Sequence, residues 1–502
     1  MIVDTFSQYG SFGVNTQITN PAGQYSVDTS PRFTGINNIP PLQGVNIPSV
    51  IQYPYTPPNT VSNGLAITWG IDNHLKTPYT IAADFSVQRE LSHGFSVEAD
   101  YIGTFGRHLL QQLDLAEPLD LVDPASGMDY FAAGTLLAKD AYAGQTTVAT
   151  IPYWEDMFPY LATNGMSATQ NIYTNVYQQQ ALSGNDSFAL AVLDAFCLPS
   201  SGGLGCGPNV DANGNVKTRY YQRQFSSLFA WSSIGMSSYN ALQLTLRRVT
   251  NSGLGLNFSY TYGNSIDMGS DTERASEFTT NSFSFITNSF NPSLNRAVSD
   301  FDTRHLVTGD FIDQLPFGRG KRFATNANRL TDALIGGWTL SGITRWSSGL
   351  PFSVMPPYAY STNYQNQSLA VVTGPIKIHR HINAQGLPEV FADPDALNNG
   401  IANSFPLRYP YPGENGQRNV FRGDGYFEQD GSLAKILKTH EGQTLRFSWE
   451  VFNVSNSARF DTSRISALGG LNNTVTSGEG FGVYSHQLVQ SRKQQFSLRY
   501  DF

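Results

Sequence analysis

The residues nearest to a catalytic grouping are Asp302, Arg304 and His305. A carboxylate, a guanidinium and an imidazole this close could move a proton. Acid–base catalysis also needs a nucleophile or a substrate-holding partner at matching spacing, and none accompanies them. A salt bridge or rim hydrogen bonds at a strand entrance is the expectation instead. His379 and His381 flank Arg380. An H-x-H pair can bind a metal, but no Cys or acidic ligand follows at a spacing that would complete a site, so a solvated loop is expected. Asp211, Asn213 and Asn215 begin like a calcium loop, yet Gly214 falls in the wrong place and Gln222 stands where the bidentate Glu belongs. Asn213-Gly214 reads as a turn. Gly318-Arg319-Gly320-Lys321 lacks the Walker spacing and reads as a basic turn. The run Gly202 to Gly207 precedes no helix that would make it a nucleotide site. The expectation is therefore no catalytic residue, no metal and no cofactor, and a protein that is not an enzyme.

Cys197 and Cys206 are the two cysteines of the chain, close together in a Gly/Ser-rich stretch. That spacing suits a local loop disulfide in an oxidising compartment; two unpaired loop thiols are the alternative. The tracts Tyr173 to Gln180 and Tyr358 to Gln367 are rich in Tyr, Asn and Gln. Such side chains grip carbohydrate or peptide by stacking and hydrogen bonds, and they also occur in any hydrated loop.

The elements that must position these residues follow from composition and period. Charged residues make up 14% of the 502 and aromatics 13%, against roughly 25% charged in a soluble domain. A net charge of -8 excludes the basic face of a nucleic-acid binder. Mean hydropathy is -0.26, which reads as soluble at first sight but does not exclude a membrane barrel, whose strands alternate lipid-facing and lumen-facing residues. No stretch approaches the ~18 apolar residues of a membrane helix; Phe188 to Leu198 is too short and is broken by Asp194. Met1-Ile2-Val3-Asp4 has neither the basic nor the apolar region of a secretory leader. That reads as a cytoplasmic protein, a fragment or an internal start.

Residues 1–74 are rich in Pro, Asn and Gly, with Pro40, Pro41, Pro54, Pro57 and Pro58 as breakers. They read as an irregular segment, loop or preceding barrel portion. From residue 75 to 502 the period becomes two. Tyr79, Ile81, Ala83, Phe85 and Val87 alternate with polar neighbours; after Ser92-His93-Gly94, Phe95, Val97, Ala99, Tyr101, Gly103 and Phe105 do the same. Two such runs joined by a tight turn are an antiparallel hairpin, each long enough to cross a bilayer at a tilt, which takes about 9–11 residues. The unit recurs at Leu242 to Tyr262, at His305 to Leu315 with Trp338 to Trp346, and at Tyr426–Lys438 with Thr444–Val454. A last strand runs from about Leu488 to Phe502.

Short turns at 92–94, 251–253 and 440–442 alternate with long loops at 108–236, 269–303, 351–424 and 457–487. Periplasmic turns and extracellular loops give outer-membrane barrels this layout, whereas connections in compact domains run about 4–6 residues. Glu98, Asp100, Arg247, Arg446, Glu450 and Arg499 put charge mid-strand on the polar faces, as a wet lumen allows. Tyr101, Phe105, Tyr262, Trp338, Trp346, Tyr500 and Phe502 gather near strand ends as interfacial girdles do. The fold class expected is all-β: an antiparallel up-and-down transmembrane β-barrel, in its C-terminal strands, with long extracellular loops. A sandwich core is the alternative.

Several stretches carry a resemblance. The chain ends Phe496-Ser497-Leu498-Arg499-Tyr500-Asp501-Phe502; its alternating Phe496, Leu498, Tyr500 and Phe502 resemble the C-terminal signal by which outer-membrane barrels engage their assembly machinery. Asp302-Thr303-Arg304-His305 with Leu315-Pro316-Phe317-Gly318-Arg319-Gly320, Gly337-Trp338-Thr339-Leu340-Ser341-Gly342, Ser348-Gly349-Leu350-Pro351-Phe352, and Glu450-Val451-Phe452-Asn453-Val454-Ser455-Asn456 together resemble Oar-like TonB-dependent receptors over residues 75 to 502. The resemblance implies a signal peptide, a β-sandwich, a TonB-contacting segment, a plug and a barrel of about 22 strands. About nine spanning strands are legible here and no plug precedes residue 75. An open sheet would leave unpaired backbone groups in hydrocarbon, each costing several kcal/mol, so the chain reads as a fragment that lacks its N-terminal half.

The function expected is a cell-outer-membrane receptor barrel that binds and takes up an extracellular ligand of unknown identity. Its partners would be outer-membrane lipid, the barrel assembly machinery and, through the missing N-terminal part, the TonB complex; nucleic acid is not among them. A non-transporting surface or adhesion protein is the alternative. A secreted all-β carbohydrate-binding protein or enzyme ranks behind both.

Overall fold

The computed structural model describes residues 66–118, 121–194, 204, 219–220, 225–249, 253–270, 286–394, 406–440, 443–462, 471–472 and 480–502. Its main feature is one sheet of 11 strands. In chain order these are β1 (Ala66–Ile71), β2 (Tyr79–Glu90), β3 (Phe95–Asp114), β4 (Phe225–Arg248), β5 (Leu254–Asp267), β6 (Ala297–Val298), β7 (His305–Gln314), β8 (Trp338–Ser347), β9 (Tyr426–His440), β10 (Gln443–Phe452) and β11 (Lys493–Asp501). The nine long strands lie side by side in sequence order, each antiparallel to the next. Among the described residues, β2 and β11 form the two edges of this path, so the sheet is not closed on itself.

Register converts the alternation into two faces. Phe85 lies opposite Tyr101, Tyr101 opposite Leu242, Leu242 opposite Tyr262 and Tyr262 opposite His305. Across the other half, Leu340 faces Leu433, Leu433 faces Trp449 and Trp449 faces Phe496. These residues share one face, and most of their apolar side chains are exposed. A soluble sheet would bury such a band; lipid covers it in an outer-membrane barrel. The opposite face carries Glu98, Arg247, Asp310, Arg345, Glu450 and Arg499, with Leu306, Ile312, Ile343 and Ile436 among its apolar exceptions. The charges read as mid-strand therefore lie away from the lipid band.

The hairpin at 92–94 closes through His93 at φ 63° and Gly94 at φ 75°, left-handed conformations that suit Gly best. Strands β3 and β4 are longer than their alternation suggested. They run 20 and 24 residues, and both enter the segment 108–236 that reads as loop. The pairing slips between Gly106 and Leu109 and again before Gln111, with His108 at φ 55°. A bulge of this kind changes which face each later residue takes, so period two stops being visible where the strand continues. Because β4 overshoots the 14 residues of β5, its far edge is left open, and β1 pairs there in parallel, Ala66 to Phe225 through Ile71 to Trp231. β1 thus lies within the segment read as irregular. Its partner is remote in sequence, so no hairpin signature announces it.

The remainder of 108–236 differs from a plain loop by a helical module. It contains α1 (Tyr130–Tyr142), α2 (Pro152–Met157), α3 (Ala168–Ile172), α4 (Gln178–Ser183) and α5 (Asp186–Leu193). Asp129 caps α1 by accepting from the Ala132 amide at 2.6 Å, and Ser167 caps α3 through the Gln170 amide at 3.1 Å; each fills an otherwise orphaned donor. Tyr130, Ala133, Leu137 and Ala141 make the buried stripe of α1 at helical spacing. They pack around Trp154, which meets Tyr130 edge-on at 5.9 Å. Residues of this module, not of the strands, form the larger buried core. Among the described residues no helix is long and apolar enough to cross a membrane.

Candidate functional site: the clamped loop end

The motif residues at 300–305 sit where β7 begins, at the end of the sheet that carries the long loops. Asp302 is buried, accepts from the Ser265 amide at 2.5 Å and forms an ion pair with Arg422. Arg304 approaches it at 3.8 Å. Arg422 also donates to the carbonyls of Asp302 at 2.8 Å and Gly349 at 3.1 Å. His305 does not join them: it shares a hydrogen bond with the Tyr260 hydroxyl at 2.8 Å and stacks on that ring at 6.1 Å. With Tyr262 and Trp346 nearby it belongs to the aromatic girdle of the lipid face. The expected salt bridge at a strand entrance is what the geometry holds.

Four residues before Arg422, Arg418 lies between two carboxylates. Its guanidinium reaches Asp267, the last residue of β5, at 2.8 Å and Asp300 at 2.8 Å. Asn419 donates to Asp300 at 2.6 Å and to the Val298 carbonyl at 2.7 Å. The strip 418–422 is thus fastened to 298–302 by charge and hydrogen bonds, with Arg418 and Asp302 buried and Asp300 and Arg422 half-buried. A further set centres on Asp424, which accepts from Arg380 at 2.9 Å and Arg459 at 3.2 Å and joins 351–424 to 457–487. Phe352, Phe391, Phe421 and Phe481 form an apolar core for these two loops. No periodic signal marks Arg418, Asp267 or Asp424, because each pairs with a residue in another loop.

Two buried carboxylates tie the helical module and its surroundings together. Glu117 accepts from the Ser289 amide at 2.7 Å and from the Thr362 hydroxyl. Burial pushes its carboxyl up to about 7, against the hydrogen bonds that favour ionisation. Asp186 accepts from Tyr177 at 2.7 Å and Tyr130 at 3.4 Å; burial raises it to about 6. These residues also lie outside any motif.

The tyrosine-rich tracts differ from the ligand-gripping reading. Tyr173, Tyr177 and Tyr360 are fully buried, the first two in the helical core and Tyr360 hydrogen-bonded to Asn288 at 2.9 Å; Tyr358 is exposed. A tyrosine whose hydroxyl finds an internal partner serves a core as well as a surface, which composition does not distinguish. His379 and His381 lie on a strand at Ile378–Ile382, and Glu389 on the neighbouring strand comes within 3.3 Å of His381. The acid is not marked by local spacing, because cross-strand pairing of His381 with Glu389 supplies it. Among the described residues no group of three or more His, Cys, Asp or Glu side chains converges as a metal site. Cys197, Cys206, Asp211, Asn213, Asn215 and, apart from Leu204, the run 202–207 lie outside the described residues.

Gly318-Arg319-Gly320-Lys321 forms a turn closed by the Arg319 amide donating to Asp332 at 2.6 Å. Phe496, Leu498 and Tyr500 on β11 and Phe502 just after it stand exposed, and Trp449 stacks on Phe496 at 6.1 Å. Toward the lumen, a groove of about 640 Å³ is lined by Asp310, Arg345, Asp430, Ser432 and Glu450 among others.

An antiparallel sheet with an exposed apolar band, a charged opposite face and its four longest connections gathered at one end defines a transmembrane barrel protein. The chain belongs to the outer membrane beta barrel domain family, whose model matches residues 3–495, and this places it in the outer membrane. No curated protein matches it. Similar solved structures include the outer membrane transporter YddB from Escherichia coli, at 8% identity and TM-score 0.32 over 87% of this chain and 34% of that one. Pseudomonas aeruginosa FpvA bound to heterologous pyoverdines aligns at 8% identity and TM-score 0.32, over 85% and 28%. The ferric-catecholate import receptor Fiu from E. coli K12 aligns at 8% identity and TM-score 0.30, over 88% and 31%. The chain spans about a third of the length of these proteins.

Proposed function

We propose that this chain serves as barrel strands of a TonB-dependent receptor of the Oar-like kind, and that its clamped loop end binds an extracellular ligand for uptake. The observation that carries this reading is the pairing of the buried Arg418 with the buried Asp267 and with the half-buried Asp300. Loops held by desolvated charge at the mouth of a barrel offer a preorganised surface, and preorganisation lowers the entropic cost of binding. Residues 75–502 supply the strands and loops, and Phe496, Leu498, Tyr500 and Phe502 act as the assembly signal. Coupling to the TonB complex runs through a plug and a TonB-contacting segment of the whole receptor. Its role is transport or binding, not catalysis.

The test compares solutes removed from a complex medium by three sets of cells. One carries the intact gene, one carries it with the codons for residues 121–194 deleted, and one carries the intact gene without TonB. A solute whose depletion needs both the helical module and TonB supports the reading. Equal depletion in all three, with the barrel present in the outer membrane, sinks it and favours a surface or adhesion role.

A further inference from the structure

The connection between β7 and β8 lies at the short-turn, periplasmic end of the sheet, yet it is long and unlike the other turns. It holds α6 (Arg329–Ile335). Asn328 caps this helix by accepting from the Thr331 amide at 2.9 Å. Its C-terminal end is held by two side chains of the sheet: Trp338 donates its indole N–H to the Leu334 carbonyl at 2.9 Å, and Lys435 donates to the Leu334 carbonyl at 3.1 Å and the Gly336 carbonyl at 2.6 Å. Lys435 also lies 4.7 Å from the centre of the Trp338 ring. A cation there satisfies open carbonyls and opposes the helix dipole.

Trp338 and Lys435 are partners in register, two residues from the Leu340–Leu433 pair, and so share the lipid-facing side of the sheet. The helix is therefore fastened to the outside of the barrel wall at its periplasmic rim. From there it presents apolar side chains to its surroundings. Leu330 and Leu334, one turn apart on one face, are 80% and 73% exposed. Phe317 and Phe323 are also exposed and pack ring to ring at 5.4 Å. Beside them stand Arg319, Lys321, Arg322 and Arg329, all exposed, against the single acid Asp332 in residues 315–337.

We infer that the 315–337 connection is an interfacial anchor that seats Leu330 and Leu334 in the periplasmic leaflet and sets its basic side chains against anionic phospholipid headgroups. Two observations select lipid as the occupant: the patch is continuous with the apolar band of the barrel, and its charge complements an anionic surface. The inference rests on the outer-membrane placement of the chain and is independent of what the loop end binds.

The test uses the full chain with Cys197 and Cys206 changed to Ser and one new thiol at Leu330→Cys, Leu334→Cys or Thr325→Cys. Each protein is reconstituted in phosphatidylcholine vesicles, with phosphatidylglycerol replacing part of the lipid in a series. A neutral, bulky maleimide reports exposure, and Thr325→Cys normalises for orientation. Labelling at positions 330 and 334 is expected to slow about fivefold as the anionic lipid rises. Changing Arg319, Lys321, Arg322 and Arg329 to Gln should remove that dependence while labelling at position 325 stays constant. Positions 330 and 334 reacting as fast as position 325 in every vesicle overturns the inference. So does slow labelling that ignores lipid composition, because it places protein over the helix.

Discussion

Arg418 and Asp267 meet at 2.8 Å with both side chains almost out of solvent, although 151 positions separate them in the chain. Their contact joins the upper end of β5 to the strip that precedes β9. Removing the arginine leaves Asp267 buried without its cation and Asp300, half-buried beside it, without its partner, and a buried charge that loses its partner costs about 3–5 kcal/mol. Arg418→Met should therefore release the loops 286–303 and 351–424. Limited proteolysis is the measurement: these loops should be cut much faster, with the strands still protected. Unchanged cleavage would show that the apolar loop core suffices.

Glu117 makes the junction of 114–117, 286–289 and 360–362 sensitive to pH. Its folded carboxyl titrates at about 7, against an ordinary 4.5. Between those values the folded form holds a proton the unfolded form has lost, so stability is fully present below 4.5 and declines as pH rises through 7. The full effect is about 3 kcal/mol at 1.36 kcal/mol per unit. Amide exchange at Ser289, whose N–H donates to Glu117, should accelerate across that range beyond its intrinsic base catalysis. Glu117→Gln should flatten the excess.

The two faces of β4 should respond oppositely to charge. Leu244 lies on the exposed apolar side, opposite Tyr260, whereas Thr245 lies on the other side opposite Ser259. An arginine facing lipid near mid-membrane costs about 2–4 kcal/mol, while a lumen substitution is tolerated. Leu244→Arg should lower the yield of heat-modifiable barrel in membranes several-fold, and Thr245→Arg should leave it near the parent value. Equal losses would contradict the face assignment.

Trp154 anchors the helical module, touching Tyr130, Tyr153, Phe158 and Tyr177. Trp154→Ala should cost about 3–5 kcal/mol locally. The expected readout is lost exchange protection over 130–193 with protection of β7 to β10 retained. Collapse of both together would mean that the module and the sheet fold as one unit.

The proposed assembly signal has its own test. Deleting Phe502 should reduce insertion into the outer membrane in cells. The same protein refolded from denaturant into detergent should reach its usual strand content, since Phe502 is almost wholly exposed. A refolding defect of equal size would make the residue structural.

What the sequence determined alone is the transmembrane sheet. Period two is a local property: Phe85 and Val87 fall on one face and Ser86 and Gln88 on the other by the geometry of any strand. Short turns then fix the partner, as at 92–94, where β2 and β3 pair from Tyr79–Arg107 to Glu90–Ser96. Long loops alternating with short turns, charge in mid-strand on the polar faces and aromatics near the strand ends pointed to lipid. The Asp302–Arg304–His305 motif was legible as a rim contact for the same reason, since it opens a strand.

Tertiary structure decided the loop end. Glu117 meets Thr362 across 245 positions, and Arg422 meets Asp302 across 120; an ion pair of this kind leaves no periodic trace in either segment. The bulge at 106–111 hid the upper parts of β3 and β4 by switching their faces. Tyr173 and Tyr177 are alike in sequence to surface tyrosines and became core only because α1 and α5 packed over them. Alternation is written residue by residue, whereas contacts between distant loops are selected by the assembled fold, where desolvation makes each pairing matter.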